Sequence, residues 1–167
     1  MFLKASEILN KPVFAQKEEE QTGRVLEMII DPQNGRLLGF LVVQPFLRPR
    51  LVSKMDVLQI LPEGLLINSV DSLIEPTEII KIDKILKEKI KILGAKAETE
   101  SGKRLGRIED FVFETQTGLI VKIYIQGGFF LPSLILPAEG IVKIERGRVV
   151  FTDQILEHSK TAEAITT

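Results

Sequence analysis

Two stretches of 22 residues decide the fold of this chain, because each reads as two strands joined by a turn. The first runs from Thr22 to Val43, TGRVLEMIIDPQNGRLLGFLVV, and the second from Leu105 to Gln126, LGRIEDFVFETQTGLIVKIYIQ. In both, a segment rich in Leu, Ile and Val leads into a polar turn that ends in Gly, and an aliphatic segment follows. Apolar runs on both sides of such a turn predict a β-hairpin.

The chain repeats itself at an offset of 83 residues, so that 23–64 aligns with 106–147 without a gap. Eight positions of the first copy are identical in the second: Gly23, Arg24, Gln33, Gly35, Phe46, Pro49, Leu51 and Gly64. These residue types mostly fix turns and cores, so the repeat indicates a duplicated fold rather than duplicated chemistry. We expect the two segments to superpose as equivalent units.

Shorter apolar runs complete five or six predicted strands in each half. They lie at 12–16, 51–52, 57–61 and 65–68, and at 95–99, 134–136, 141–144 and 148–151. Many short strands with a turn every 8 to 12 residues or so are typical of a small barrel. The sequence therefore predicts a mainly β chain with two tandem small antiparallel β-barrels that pack on each other, since either core is marginal alone.

Two segments predict helices. One short turn is expected at 6–9 with Ser6 as its cap, and a linking helix is expected over 77–93, where apolar residues recur at three- and four-residue spacing between lysines. The first part of this segment, 78–82, also reads as extended. The resulting domains are 1–76, the linker 77–93, 94–156 and a flexible tail 157–167.

The repeated unit is a Leu-containing turn, a strand, Gly-Arg-Val or Gly-Arg-Ile, an acidic residue three positions after the arginine, a polar turn and an aliphatic strand. It resembles the PRC-barrel family, named for the barrel of the photosynthetic reaction centre H subunit. The resemblance implies a small barrel in each half and no shared catalytic residues. A ribosome maturation factor of this family would pair one such barrel with a different one, and a reaction-centre subunit would carry a membrane helix. Neither description fits, which favours a stand-alone double barrel.

The composition excludes much of enzyme chemistry. The chain has no Cys, one His, 22 basic and 23 acidic side chains, so it predicts no metal site, no cofactor and no catalytic residues. His158 falls in the predicted tail, where a catalytic base would not be held in place. Two acid pairs, Glu27/Asp31 and Asp110/Glu114, invite acid–base or cation roles, but their place at strand ends favours capping.

The Gly-Arg pairs at 23–24 and 106–107 suggest anion binding. We prefer the interpretation that the glycine is needed for backbone geometry and that the arginine lies along the barrel.

The loop after the second long strand is apolar in both copies, which is unusual for a surface loop. It supplies the candidate interface residues Phe46, Arg48, Arg50, Phe129, Phe130 and Leu131. Aromatic residues and arginine together suit protein–protein contact. The alternative, that Phe46 and Phe129 plug the barrel ends, stays open on the sequence alone.

The sequence therefore predicts a non-catalytic interaction module that binds a protein partner or self-associates. The alternative is an RNA- or ribosome-associated factor that uses Arg48, Arg50 and the lysines of 81–91. The longest apolar run, 37–43, is far below the roughly 18 residues of a membrane span. We expect a cytoplasmic protein without a transmembrane segment, and attachment to a membrane surface stays open.

Overall fold

The computed structural model describes residues 1–157 and shows a mainly β chain in two sheets. The strands are β1 (Phe2–Lys4), β2 (Pro12–Ala15), β3 (Glu20–Ile30), β4 (Leu37–Val43), β5 (Arg50–Ser53), β6 (Val57–Leu61), β7 (Gly64–Ile67), β8 (Lys96–Thr99), β9 (Arg104–Glu114), β10 (Ile120–Gln126), β11 (Leu134–Pro137), β12 (Ile141–Glu145) and β13 (Arg148–Phe151). The α-helices are α1 (Ala5–Ile8) and α2 (Ile80–Lys87). Short 3-10 turns lie at Lys54–Asp56, Val70–Ser72, Pro76–Glu78 and Ala138–Gly140.

Both sheets have the same strand order. The first runs β5-β4-β3-β2-β7-β6 and the second β11-β10-β9-β8-β13-β12, with β1 added to β9. The predicted antiparallel pairing holds except at β2–β7 and β8–β13, which are parallel. Each of these pairs joins strands from the beginning and the end of a copy, so no hairpin turn links them. Within residues 1–157 the two outermost strands of each sheet do not pair with one another, so the strand order is an open path.

The long hairpin has its β-bulges at the same positions in both copies. Val25 pairs with Val42 and Glu27 with Leu41, so a bulge falls at the residue between Val25 and Glu27. At an offset of 83 residues, Ile108 pairs with Ile125 and Asp110 with Tyr124, with the same bulge. A bulge re-aims the strand and raises its twist, so both copies bend at the same place. This confirms the duplicated fold over 23–43.

The ungapped alignment is wrong beyond this hairpin. Gly39 pairs with Ser53 in the first sheet, whereas Lys122 pairs with Pro137 in the second, so the offset becomes 84 residues. The second copy has one extra residue in the connection, which spans 44–49 in one copy and 127–133 in the other. Gly64 therefore begins β7, while Gly147 lies in the turn before β13. Their identity in the sequence is not a structural equivalence.

A pseudo-two-fold axis relates the two copies. Arg36 forms an isolated antiparallel bridge with Leu119, its own counterpart in the repeat. The Leu37 N–H donates to the Gly118 carbonyl at 2.8 Å, and the Ile120 N–H donates to the Gly35 carbonyl at 3.3 Å. Since both bonds join equivalent groups, the axis passes through this bridge.

Each copy sends its N-terminal arm to the other sheet. β1 pairs with β9, where Leu3 lies opposite Phe113, and α1 packs on the same strand. In the other direction, Ile82 and Ile85 of α2 are buried with residues of the first sheet. One hydrophobic core cluster extends from Leu3 to Ile155 and contains residues of both halves, so the two sheets pack together as predicted.

Each arm also forms an ion pair near its first residues, and the two ion pairs are equivalent. The N-terminal ammonium lies 3.0 Å from the Glu114 carboxylate, and Lys81 Nζ lies 2.6 Å from that of Asp31. Asp31 and Glu114 occupy the same position in the two hairpin turns. A strand therefore pairs with the edge of β9, whereas a helix packs on the face of the first sheet.

Several predicted boundaries shift. The helix spans only 80–87 of the predicted 77–93, because Ile79 is extended and Lys89 adopts φ of 53°. α1 starts after Lys4 instead of Ser6, whose hydroxyl donates to Asp110. The domain limits remain a prediction, and residues 2–4, assigned to the first domain, pair with the second sheet. The predicted tail lies outside the described residues from 158 onward.

Candidate functional site

The candidate site consists of two exposed loops. The first apolar loop, residues 44–49, joins β4 to β5, and the second apolar loop, residues 127–133, joins β10 to β11. These loops contain five of the six nominated residues, and the sixth, Arg50, is the first residue of β5. Both loops close tightly, through a hydrogen bond from the Leu47 N–H to the Gln44 carbonyl and one from the Leu131 N–H to the Gly128 carbonyl.

The aromatic side chains of both loops lie in solvent. Phe46 is 106% exposed, Phe129 102% and Phe130 97%, while Leu131 is 39% exposed. The alternative that Phe46 and Phe129 plug the barrel ends is therefore wrong. Leu47, which is not among the six residues nominated from the sequence, is also 60% exposed, and its place next to Phe46 is the signal for it. Exposed large apolar side chains are thus grouped in both loops.

Phe46 carries backbone strain in addition to exposure. Its φ is 63°, in the left-handed region, which costs a non-glycine residue about 1–2 kcal/mol. The ring gains no burial within the chain in return. A bulky residue held in this conformation at a loop tip is typical of a functional contact.

The second apolar loop is shaped by a glycine that no other residue replaces easily. A Cβ on Gly127 would lie 2.1 Å from the Leu131 carbonyl oxygen, so only glycine lets the loop fold back this closely. The Phe129 and Phe130 rings stand 6.1 Å apart at 52°. They present an aromatic pair with its faces open to solvent.

The two arginines have different environments. Arg48 is exposed at the edge of the first loop. Arg50 lies with Nη2 at 3.6 Å from Glu75, and its Nε is buried with no hydrogen-bond partner among the described residues. Within residues 1–157, Arg48 forms no salt bridge, whereas Arg50 is held by Glu75.

The two loops lie at opposite ends of the molecule. An antiparallel bridge is crossed by its two-fold axis at right angles to the strands, so β4 and β10 leave the Arg36–Leu119 bridge in opposite directions. Each strand has seven residues. The loops that follow these strands therefore lie on opposite sides of the bridge. The structure does not bring the six nominated residues into a single surface.

A groove of about 580 Å³ lies beside the first apolar loop. Residues of that loop line it together with the Gly23–Arg24 pair. Gln44 Nε2 donates to Thr22 Oγ1 at 3.0 Å across it. The arginine itself is used structurally, because Arg24 Nη1 donates to the Asn10 carbonyl at 2.8 Å. Arg107 makes the equivalent bond to Gly94 at 3.0 Å.

The glycines of the two Gly-Arg pairs are packed against the ends of β4 and β10. A Cβ would lie 2.6 Å from the Val43 oxygen at Gly23 and 2.2 Å from the Gln126 oxygen at Gly106. Both glycines therefore allow a close approach of the backbone, and both arginines bond to backbone carbonyls. This agrees with the interpretation preferred from the sequence.

The carboxylates of the two acid pairs bond to groups of the hairpin turns and of the arms. Glu114 accepts hydrogen bonds from the N–H groups of Thr117 and Gln116 as well as the N-terminal ammonium. These donors, the Thr117 N–H first among them, lower the pKa of Glu114 to about 2. Asp110 accepts from Ser6, and Glu27 lies 3.6 Å from Lys91. Their contacts support the capping interpretation.

Over residues 1–157, three or more His, Cys, Asp or Glu side chains do not come together in a metal-binding arrangement. None of the helices in this part of the chain is both long and apolar enough to cross a bilayer. His158 lies outside the described residues.

Comparison with known protein families matches the PRC-barrel domain twice, at residues 1–69 and 91–154. The chain belongs to the PRC-barrel family. The first matched segment contains β1 to β7 and the second contains β8 to β13, whereas α2 lies between them, which confirms the resemblance seen in the sequence. A search of curated proteins finds no match to this PRC-barrel chain.

Proposed function

We propose that this tandem PRC-barrel protein is a non-catalytic, cytoplasmic interaction module whose two apolar loops bind a protein partner or a second copy. The observation that carries the proposal is the full exposure of Phe46, Phe129 and Phe130 at loop tips. Exposed aromatic residues dominate binding energy at protein interfaces. The barrel form of each sheet belongs to the same proposal, supported by family membership.

The position of the loops supports a bridging role. Because the loops lie at opposite ends of the molecule, one chain can contact two molecules without steric conflict between them. The ends also differ in charge, since Arg48 accompanies Phe46 while residues 126–134 contain no charged side chain. Binding at the first end should therefore depend more on salt than binding at the second.

The test uses the double substitution Phe130→Ser and Leu131→Ser in the full chain. Loss of an exposed anchor costs binding energy, about 1–4 kcal/mol for each hot-spot residue, with little effect on folding. Association would be followed by sedimentation and by capture of partners from a lysate of the source organism, and folding by thermal melts. Met55→Ser, which alters a 93% exposed apolar residue elsewhere, is the matched control.

The two measurements together can support or reject the proposal. Weakened association with an unchanged melting temperature supports the proposal. A lowered melting temperature with unchanged association rejects it.

The RNA- or ribosome-associated alternative has less support. Lys81, Lys87 and Lys91 lie within 4 Å of Asp31, Asp83 and Glu27 respectively, so much of the basic segment is neutralised by its own chain. A salt-dependent shift of RNA on adding the protein would favour this alternative.

A further inference from the structure

The outer face of the first sheet is covered by α2. Ile29, Leu41 and Leu51 lie on neighbouring strands of this face and are only 2%, 8% and 0% exposed. They form a separate hydrophobic cluster with Ile82 and Ile85, which lie one helical turn apart. An amphipathic helix thus covers this face through apolar residues at i and i+3.

The same face of the second sheet has no such cover. The strand registers place Val112, Tyr124 and Ile135 at the corresponding positions, with Tyr124 directly opposite Ile135. Ile135 is 53% exposed, and Val112 and Tyr124 are partly exposed. None of the three is packed in either hydrophobic cluster formed by the described residues.

β1 extends this apolar face and adds positive charge. Leu3 points into the core at 4% exposure, so its neighbours Phe2 and Lys4 lie on the outer side, and Phe2 is 63% exposed. Lys4 lies opposite Val112, and Val112 opposite Lys122, so the lysines lie on either side of Val112. Lys4 Nζ also stands 4.8 Å from the centre of the Tyr124 ring. Neither lysine takes part in a salt bridge within residues 1–157.

Charge distinguishes the two faces. Carboxylates of Glu27 and Asp31 lie beside the first face, and the arm that covers it is basic, with Lys91 and Lys81 contacting them. The second face carries the equivalent carboxylates, because Asp110 lies opposite Tyr124 and Glu114 lies opposite Phe2. Glu114 is paired with the N-terminal ammonium. Lys4 and Lys122, which form no ion pair within residues 1–157, outnumber the remaining carboxylate of Asp110, so the complementary cover is acidic. β1, β9, β10 and β11 together are about 14 Å wide between outer strands, enough for one helix of about 10 Å diameter.

We propose that the outer face formed by Phe2, Val112, Tyr124 and Ile135 binds an amphipathic helix of a partner protein. Its apolar residues at i and i+3 occupy the place that Ile82 and Ile85 have on the first sheet, and its acidic residues meet Lys4 and Lys122. None of these four residues belongs to either apolar loop, so the surface is a third binding surface of different chemistry.

Two synthetic peptides test the proposal against the full-length protein. One carries the sequence of residues 76–93, and the other carries the same sequence with its five lysines changed to glutamate. Both are labelled and held helical by a hydrocarbon cross-link on the polar side, and binding is measured by fluorescence anisotropy. We expect the acidic peptide to bind at least tenfold more tightly than the basic one.

Variants of the full chain locate the binding. Ile135→Asp should weaken the acidic peptide at least tenfold, whereas Val142→Asp, a matched change at a 50% exposed residue of β12, should change affinity less than twofold. Lys4→Glu together with Lys122→Glu should remove the preference for the acidic peptide. Thermal melts establish that each variant is folded.

Three results would overturn the proposal. The acidic peptide could bind no more tightly than the basic one, or Ile135→Asp could leave its affinity unchanged. Sedimentation could also show a dimer of the wild type that Ile135→Asp converts to a monomer, which would make a second copy the occupant. Phe130→Ser with Leu131→Ser leaves peptide binding unchanged under the proposal, so this test is independent of the loops.

Discussion

Replacing Ile82 by alanine measures what α2 contributes as the cover of the first sheet. Ile82 is 3% exposed and packs with Ile29, Leu41 and Leu51. Truncating a buried isoleucine removes about three carbons from a packed site and leaves a cavity, a loss of about 2–4 kcal/mol. The higher helix propensity of alanine returns only a few tenths of a kcal/mol. We therefore expect Ile82→Ala to lower the free energy of unfolding by about 2–4 kcal/mol.

The same helix supplies the control. Ile80 is 85% exposed, so Ile80→Ala makes the same chemical change without opening a cavity and should alter stability by less than about 0.5 kcal/mol. Urea titration gives the free energies directly. In a thermal melt, each kcal/mol should shift the midpoint by about 2–4 °C for a chain of this length. Equal effects of the two substitutions would show that α2 does not pack on the sheet as described.

Three further outcomes are expected. Gly106→Ala should lower the free energy of unfolding by more than about 2 kcal/mol, because its Cβ would meet the Gln126 oxygen at 2.2 Å. Gly147 has φ of 73° and open space around it, so Gly147→Ala should lower that free energy by about 1 kcal/mol. Urea titrations compare the two variants. The folded-state pKa of Glu114, about 2, lies below its ordinary value of 4.5, so its stabilising effect is present above pH 4.5 and is lost as the pH falls toward 2. Glu114→Gln should therefore flatten the pH dependence of stability in that interval. A chelator should leave the melting temperature unchanged.

The duplicated hairpin was predictable because it depends on local signals. The Gly-Arg pair, the apolar strands and the polar turn ending in Gly35 or Gly118 all act within about 20 residues. The helical pattern also predicted correctly which side of α2 is buried, with Ile82 and Ile85 inward. These elements required no knowledge of distant partners.

The register beyond the hairpin and the exchange of arms were not predictable in the same way. The extra residue falls in an apolar loop, where Phe46 and Phe129 align by identity although the strands that follow are displaced by one. Residues 2–4 offer too few positions to show a strand pattern, and their partner, β9, lies more than 100 residues away. Long-range pairing of so short a segment depends on the assembled sheet.

The exchange of arms explains how one duplicated unit acquires two different surfaces. Asp31 and Glu114 hold the same place in the repeat, and each binds the cation that the other copy's arm delivers. The first sheet receives a helix, which buries its outer face, whereas the second receives a three-residue strand, which widens its sheet and leaves the outer face open. The asymmetry therefore comes from the arms and not from the hairpins, whose registers coincide. Differences in binding between the two halves should accordingly follow from the arms and from loop composition, since the shared framework is the same in both.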